Sequence, residues 1–173
     1  MISLPAVIER GITAVIGLPD SGPVLEVIAR LALSHPVQVI VGGNRFDAHQ
    51  LARIIRGHTV HLDQTLARIQ QARPFTCFQA IKLLEETEST TPLIIIDMLT
   101  TFYDENISDL ESMRLTAIAV THLQRIGQQA PVLVTLRPLT ASTRPGLIKQ
   151  IQTIADNVYW FEPSETTFQP PLF

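Results

Sequence analysis

The chain has 173 residues, 46% of them hydrophobic, a length and composition that fit one domain with a full core. Its formal net charge of −3 excludes a globally basic surface for nucleic acid and leaves only a local patch open. The single cysteine, Cys77, excludes an internal disulfide, and no apolar run approaches the roughly 20 residues of a membrane span, so a cytoplasmic protein is expected.

In chain order, "MISLPAVIERG" (1–11) lacks the long apolar stretch of a signal peptide. "TAVIGL" (13–18) reads as a buried strand entering a loop, and residues 21–34 read as a helix, with Leu25, Ile28, Ala29 and Ala32 at helical spacing. Between them "GLPDSGPV" (17–24) holds the frame G-x-x-x-x-G from Gly17 to Gly22, the spacing of a phosphate loop, although an ordinary turn has the same frame. "VQVIVGG" (37–43) is the next strand. Asp47 and Gln50 then open a helix with Leu51, Ile54 and Ile55 on one face and Gly57 as its stop. Residues 58–73 fit helix or strand. Thr76 and Gln79 stand at capping-box spacing before a helix reaching about Glu88.

"PLIIID" (92–97) is apolar without alternation, the mark of a strand covered on both faces. Ser108 and Glu111 cap a long helix to about Gln128, with Leu110, Met113, Ala117 and Val120 expected inward. "PVLVTLR" (131–137) is a further buried strand, followed by a polar loop, a short helix (146–155) and the strand "NVYWF" (157–161). Buried strands alternating with helices predict a mainly parallel central sheet with helices on both faces. The domain is expected to occupy 1–162. A proline-containing tail, 163–173, follows, in which Phe168, Leu172 and Phe173 are candidates to dock on a partner or on the domain itself.

Taken in this order, the segments resemble the ATPase core of the RecA/RadA recombinase superfamily over nearly the whole chain. "LPAVIERGITAVIGLPDSGP" is similar to the stretch leading into that family's phosphate loop, and "VQVIVGGNRFDAHQLARII" to its second strand and helix. "LDQTLARIQQARPFTCFQAIKLL" resembles the third strand and helix and so favours a strand over 66–71. "PLIIIDMLTTFYDE" resembles the Walker B strand with Asp97 at the magnesium-linked position. "QAPVLVTLRP" resembles the strand before the second DNA-facing loop, and "IADNVYWFE" the closing strand. The resemblance implies a RecA-like P-loop NTPase fold.

The same resemblance implies a degenerate site. Pro23 stands where the family has its lysine, and proline also lacks a backbone N–H. Val24 replaces the hydroxyl that holds magnesium, and Asp20 adds negative charge inside the loop, beside Ser21. Gly43, three residues before Phe46, takes the place of the glutamate that polarises water. Leu136 and Arg137 follow Thr135 where a polar sensor is expected. The expectation is therefore a pseudo-ATPase with no cofactor, acting through a protein partner or its own copies in DNA recombination or repair. An ATPase with a non-standard phosphate loop is the alternative.

The remaining candidates are fewer. Arg137, Arg144 and Lys149 lie without an intervening acid where the family has its second DNA-facing loop, so loop 137–149 is the candidate contact of a single-stranded DNA-binding protein. Tyr103, Asp104, Glu105, Asp109 and Glu111 form an acidic, solvated helix start. His58 and His61 have no third ligand at useful spacing, so no metal is expected there, and Cys77 reads as a small buried residue.

Overall fold

The computed structural model describes Leu4 and residues 8–138 and 144–162. Among these residues six strands form one all-parallel sheet: β1 (Gly11–Ile16), β2 (Val37–Val41), β3 (Ile69–Ala72), β4 (Leu93–Ile96), β5 (Pro131–Leu136) and β6 (Asn157–Trp160). Their spatial order is β3-β2-β4-β5-β1-β6. The connecting helices are α1 (Gly22–Ala32), α2 (Ala48–His58), α3 (Leu62–Leu66), α4 (Cys77–Glu86), α5 (Asp109–Gly127) and α6 (Gly146–Ile154). A 3-10 turn, Met98–Tyr103, follows β4.

Strand residues of alternate parity sort into two cores. Ile12, Ala14, Ile95 and Val134 pack with Leu84 of α4, Leu115 and Leu123 of α5, and Ile151 of α6. Val15, Val39, Ile94 and Leu133 pack on the opposite face with Leu25 and Ile28 of α1 and with Leu51 and Ile55 of α2. Both faces being covered explains why "LIII" is apolar at every position: all four residues are buried. Helix starts follow the sequence signals. The side chain of Asp47 accepts from the N–H groups of His49 and Gln50, that of Thr76 from Gln79, and that of Ser108 from Glu111.

Three expectations are corrected. Residues 66–71 are not one strand: Leu66 ends α3 and β3 begins at Ile69. The turn between them is set by Arg68, whose guanidinium donates to the carbonyls of Ala32 and Leu33 at the end of α1. Helix α2 does not stop at Gly57 but runs to His58, where extended Thr59 ends it with its N–H on Ile55 O. Helix α5 turns a different face inward. Leu110 is 79% exposed, Met113 47%, and Ala117 is exposed; of the four expected residues Val120 alone packs partly against the core, while Ser112, Leu115, Thr116, Ala119 and Leu123 are buried. The hydroxyls misled the pattern, because Ser112 Oγ donates to Phe102 O at 2.6 Å and Thr116 Oγ1 to Ser112 O at 2.8 Å. A satisfied hydroxyl is buried at little cost, so polar residues occupy the core stripe.

β6 is exposed along its length at one edge of the sheet. The tail 163–173 and positions 139–143 of loop 137–149 lie outside the described residues. Among the described residues, no helix is long and apolar enough to cross a membrane.

The two faces of α5 give a direct test. Leu115→Ala is expected to lower the unfolding free energy by about 2–5 kcal/mol, as for buried leucines elsewhere. Leu110→Ala is expected to change it by less than about 0.5 kcal/mol. Urea unfolding of the two variants measures both.

Candidate functional site

Four strands deliver their carboxyl ends to one place. In the order β2-β4-β5-β1 these ends bring Gly42, Gly43 and Arg45, then Asp97, then Thr135, then the loop from Gly17 to Gly22. Connections leaving β1 and β2 cover one face and those leaving β4 and β5 the other, so the direction in which the crossovers step along the sheet reverses here, where open parallel sheets hold their ligands.

The backbone at this place leaves little room. Gly17 follows β1 at φ +80, and a Cβ on it would lie 2.3 Å from Phe161 O, so both conformation and space require glycine. A Cβ on Gly42 would lie 2.4 Å from Asp97 O. Asp97 itself has φ +51, the left-handed region that aspartate and asparagine tolerate best among side chains with a Cβ. Its N–H donates to Thr135 Oγ1 at 2.8 Å.

The carboxylate of Asp97 is 2% exposed and is held by Arg45, which the sequence reading did not single out. Arg45 Nε donates to Asp97 Oδ2 at 2.8 Å and Nη2 to Oδ1 at 2.6 Å, a two-pronged pair. Its Nη1 donates to Leu18 O at 2.7 Å, inside the loop after β1. The hydrogen bonds to Asp97, and beyond them the charges of Asp97 and Asp20, raise the guanidinium above its ordinary pKa. The one signal available in the sequence was a lone cation in "GGNRFD", directly after a strand end.

The loop's donors are also engaged. Asp20 Oδ1 accepts the N–H of Gly22 at 2.8 Å, so a carboxylate of the chain itself sits at the start of α1. Pro23 has no N–H, and the N–H groups of Val24 and Leu25 both donate to Ser21 O. Ser21 precedes α1 without a side-chain cap. The Val24 side chain is buried in the core rather than turned to the loop's mouth. At Gly43, a Cβ would lie 3.0 Å from Asp97 Oδ2 and 3.4 Å from Thr100 Oγ1, so a side chain there would crowd the carboxylate.

The basic candidates separate. Arg137 is exposed and lines a small hollow of about 90 Å³ with Leu99, Thr100 and Tyr103. Lys149 is exposed on α6. Arg144 is only 8% exposed and turns inward, donating to Asp109 Oδ1 and to the carbonyls of Phe102, Asp104 and Ile107. It fastens the segment between the 3-10 turn and α5 rather than reaching outward. In that segment Asp104 accepts from Asn106, and Glu111 pairs with Arg114 on the solvent side. Glu105 is exposed.

His58 Nε2 lies 2.8 Å from Glu26 Oε1, and His61 precedes α3. Burial pushes the Glu26 carboxyl up, but hydrogen bonds from Arg30 and His58 outweigh it and hold its pKa below the usual range. Burial pushes the Cys77 thiol up, which keeps it a packing residue. Among the described residues no group of three or more histidine, cysteine or acidic side chains is placed to hold a metal.

No family model matches the chain, and no curated protein matches it.

Arg45→Ala strands the Asp97 carboxylate in the interior and is expected to lower stability by about 3–5 kcal/mol. Asp97→Asn keeps the left-handed backbone and removes only the counter-charge of the more exposed partner, which stays bonded to Leu18 O, so its loss is expected to be smaller. Chemical unfolding of both variants measures the order, and an Arg45→Ala loss under about 1 kcal/mol would remove the pair as the brace of the site.

Proposed function

We propose that the chain is a RecA-like P-loop domain whose nucleotide site is filled by its own side chains: a non-catalytic pseudo-ATPase that acts through protein partners. The observation that carries this reading is Arg45, forked onto Asp97 and bonded to Leu18 O. A magnesium ion on Asp97 would have to compete with a two-pronged, largely buried guanidinium, and phosphates would meet Asp20 at the helix start. Pro23, Val24 and Gly43 supply neither the ammonium, the hydroxyl nor the carboxylate that phosphoryl transfer draws on.

A nucleotide switch moves its loops when phosphate contacts form and break. Here the loop is tied to β2 and β4 by contacts internal to the chain, which favours one permanent surface. An accessory or scaffolding role beside another RecA-like chain in DNA recombination or repair follows from the resemblance in sequence. The competing enzyme reading has one specific support: Arg45 already touches the loop, so an arginine that leaves Asp97 for a phosphate would replace the missing lysine. Single-stranded DNA binding would draw on Arg137 and Lys149, and its affinity would fall steeply with added salt.

Calorimetry with ATP and magnesium is expected to give no binding at micromolar concentrations, and phosphate release is expected to stay at the buffer rate. Pro23→Lys with Val24→Thr is expected not to create turnover, because residue 43 still has no carboxylate. Micromolar ATP affinity in the unmodified protein refutes the reading. Capture of a RecA-like ATPase from native extract tests the partner.

A further inference from the structure

β3 reads "IQQA" and forms the edge of the sheet opposite β6, pairing among the described residues with β2 alone. Val37 stands opposite Ile69 and donates its N–H to Arg68 O at 2.9 Å. In a parallel ladder this register turns the backbone of Gln70 toward β2 and the N–H and C=O groups of Ile69 and Gln71 outward. Exposed edges are normally blunted by lysine, proline or a bulge. β3 contains no lysine or proline, and Gln70 and Gln71 are exposed.

Among the described residues, none fills the surface beside this edge. Two hollows, of about 270 and about 320 Å³, run along β3 beneath α4 and share Ala72, Leu83 and Glu86. One holds Gln70 and Gln71 with Glu88, the other holds Arg73 and Lys82, and Glu86 lines both. To either side of the shared Glu86 the groove is acidic toward Glu88 and basic toward Lys82 and Arg73. An ion pair along it, Lys82 to Glu86, is 3.9 Å long and open to solvent.

We propose that β3 is the self-association edge of this protein, pairing antiparallel with β3 of a second copy about a two-fold axis through Gln70. The charge pattern selects this occupant. A two-fold axis across the edge lays the Glu86–Glu88 end of each copy against the Arg73–Lys82 end of the other, so one pattern is complementary to itself, as an isologous interface requires. Parallel pairing of two copies would set like charges together. In the proposed register Ile69 faces Gln71 of the second copy and Gln71 faces its Ile69. Both are hydrogen-bonded pairs that use the outward groups, while the two Gln70 amides meet on the α4 side. One sheet then runs through both copies, and the hollows lie at the seam. This inference is independent of whether the site at Asp97 binds nucleotide.

Sedimentation equilibrium of the full chain across micromolar concentrations is the test. The unmodified protein is expected to be a dimer. Gln71→Pro removes an N–H that β2 does not use, and is expected to give a monomer with unchanged circular dichroism. Arg73→Glu with Lys82→Glu makes the groove acidic throughout, and Glu86→Lys with Glu88→Lys makes it basic throughout. Each charge variant alone is expected to dimerise about tenfold more weakly or worse, and an equimolar mixture of the two is expected to restore dimers. Should the proline variant fail to fold, the charge variants decide alone. A protein monomeric at every concentration overturns the proposal, as does a dimer that ignores the proline or the charge changes.

Discussion

A guanidinium that bonds a carboxylate on one side and a loop carbonyl on the other constrains every strand end near it. Arg45 leaves β2, Asp97 leaves β4 and Leu18 leaves β1, so one side chain ties three connections together. Thr135 of β5 completes the set through the Asp97 N–H. Each of these strands is already fixed by the ladder and by two apolar cores. The pair therefore acts on the loops, which the ladder does not hold. Its net contribution to stability is small compared with the cost of breaking it, because both charges lose water when they meet. What it adds is a single arrangement.

Asp97 carries two roles that depend on one another. The left-handed backbone needs a residue that tolerates positive φ, and the guanidinium needs a carboxylate. Both are met by the same aspartate. Glycines complete the fit: Gly42 and Gly43 let β2 pass within contact of the Asp97 backbone and side chain. Side chains at these two positions would push the strand end away and open the pair.

Arginine is used in the same manner at three other places. Arg68 closes the end of α1, Arg125 gathers the carbonyls of Leu84, Glu85 and Thr87 at the end of α4, and Arg144 fastens the segment before α5. A planar fork with several donors suits carbonyls left unpaired where helices end. The consequence for surface chemistry is that part of the chain's positive charge is turned inward, away from any phosphate. The outward-facing basic groups are fewer than the composition suggests, and at the β3 edge they are balanced by acids.

The sequence by itself determined five of the strands and the capped helix starts, but not α3 or the bounds of β3. A run such as "LIII" has no polar side to turn to water, so it must be covered twice, and that alone implies a parallel sheet between helices. The caps at Asp47, Thr76 and Ser108 were legible because a cap is a contact between residues two or three positions apart. The tertiary structure decided everything that rests on distant partners. Arg45 meets Asp97 across 52 positions and Arg144 meets Phe102 across 42, and no local pattern records such a distance. It also decided which face of α5 is buried, since Ser112 and Thr116 become core residues only once the Phe102 carbonyl and the preceding turn of the helix accept their hydroxyls. Hydrophobic periodicity encodes what avoids water, whereas the burial of a polar group depends on a partner that only the folded chain supplies.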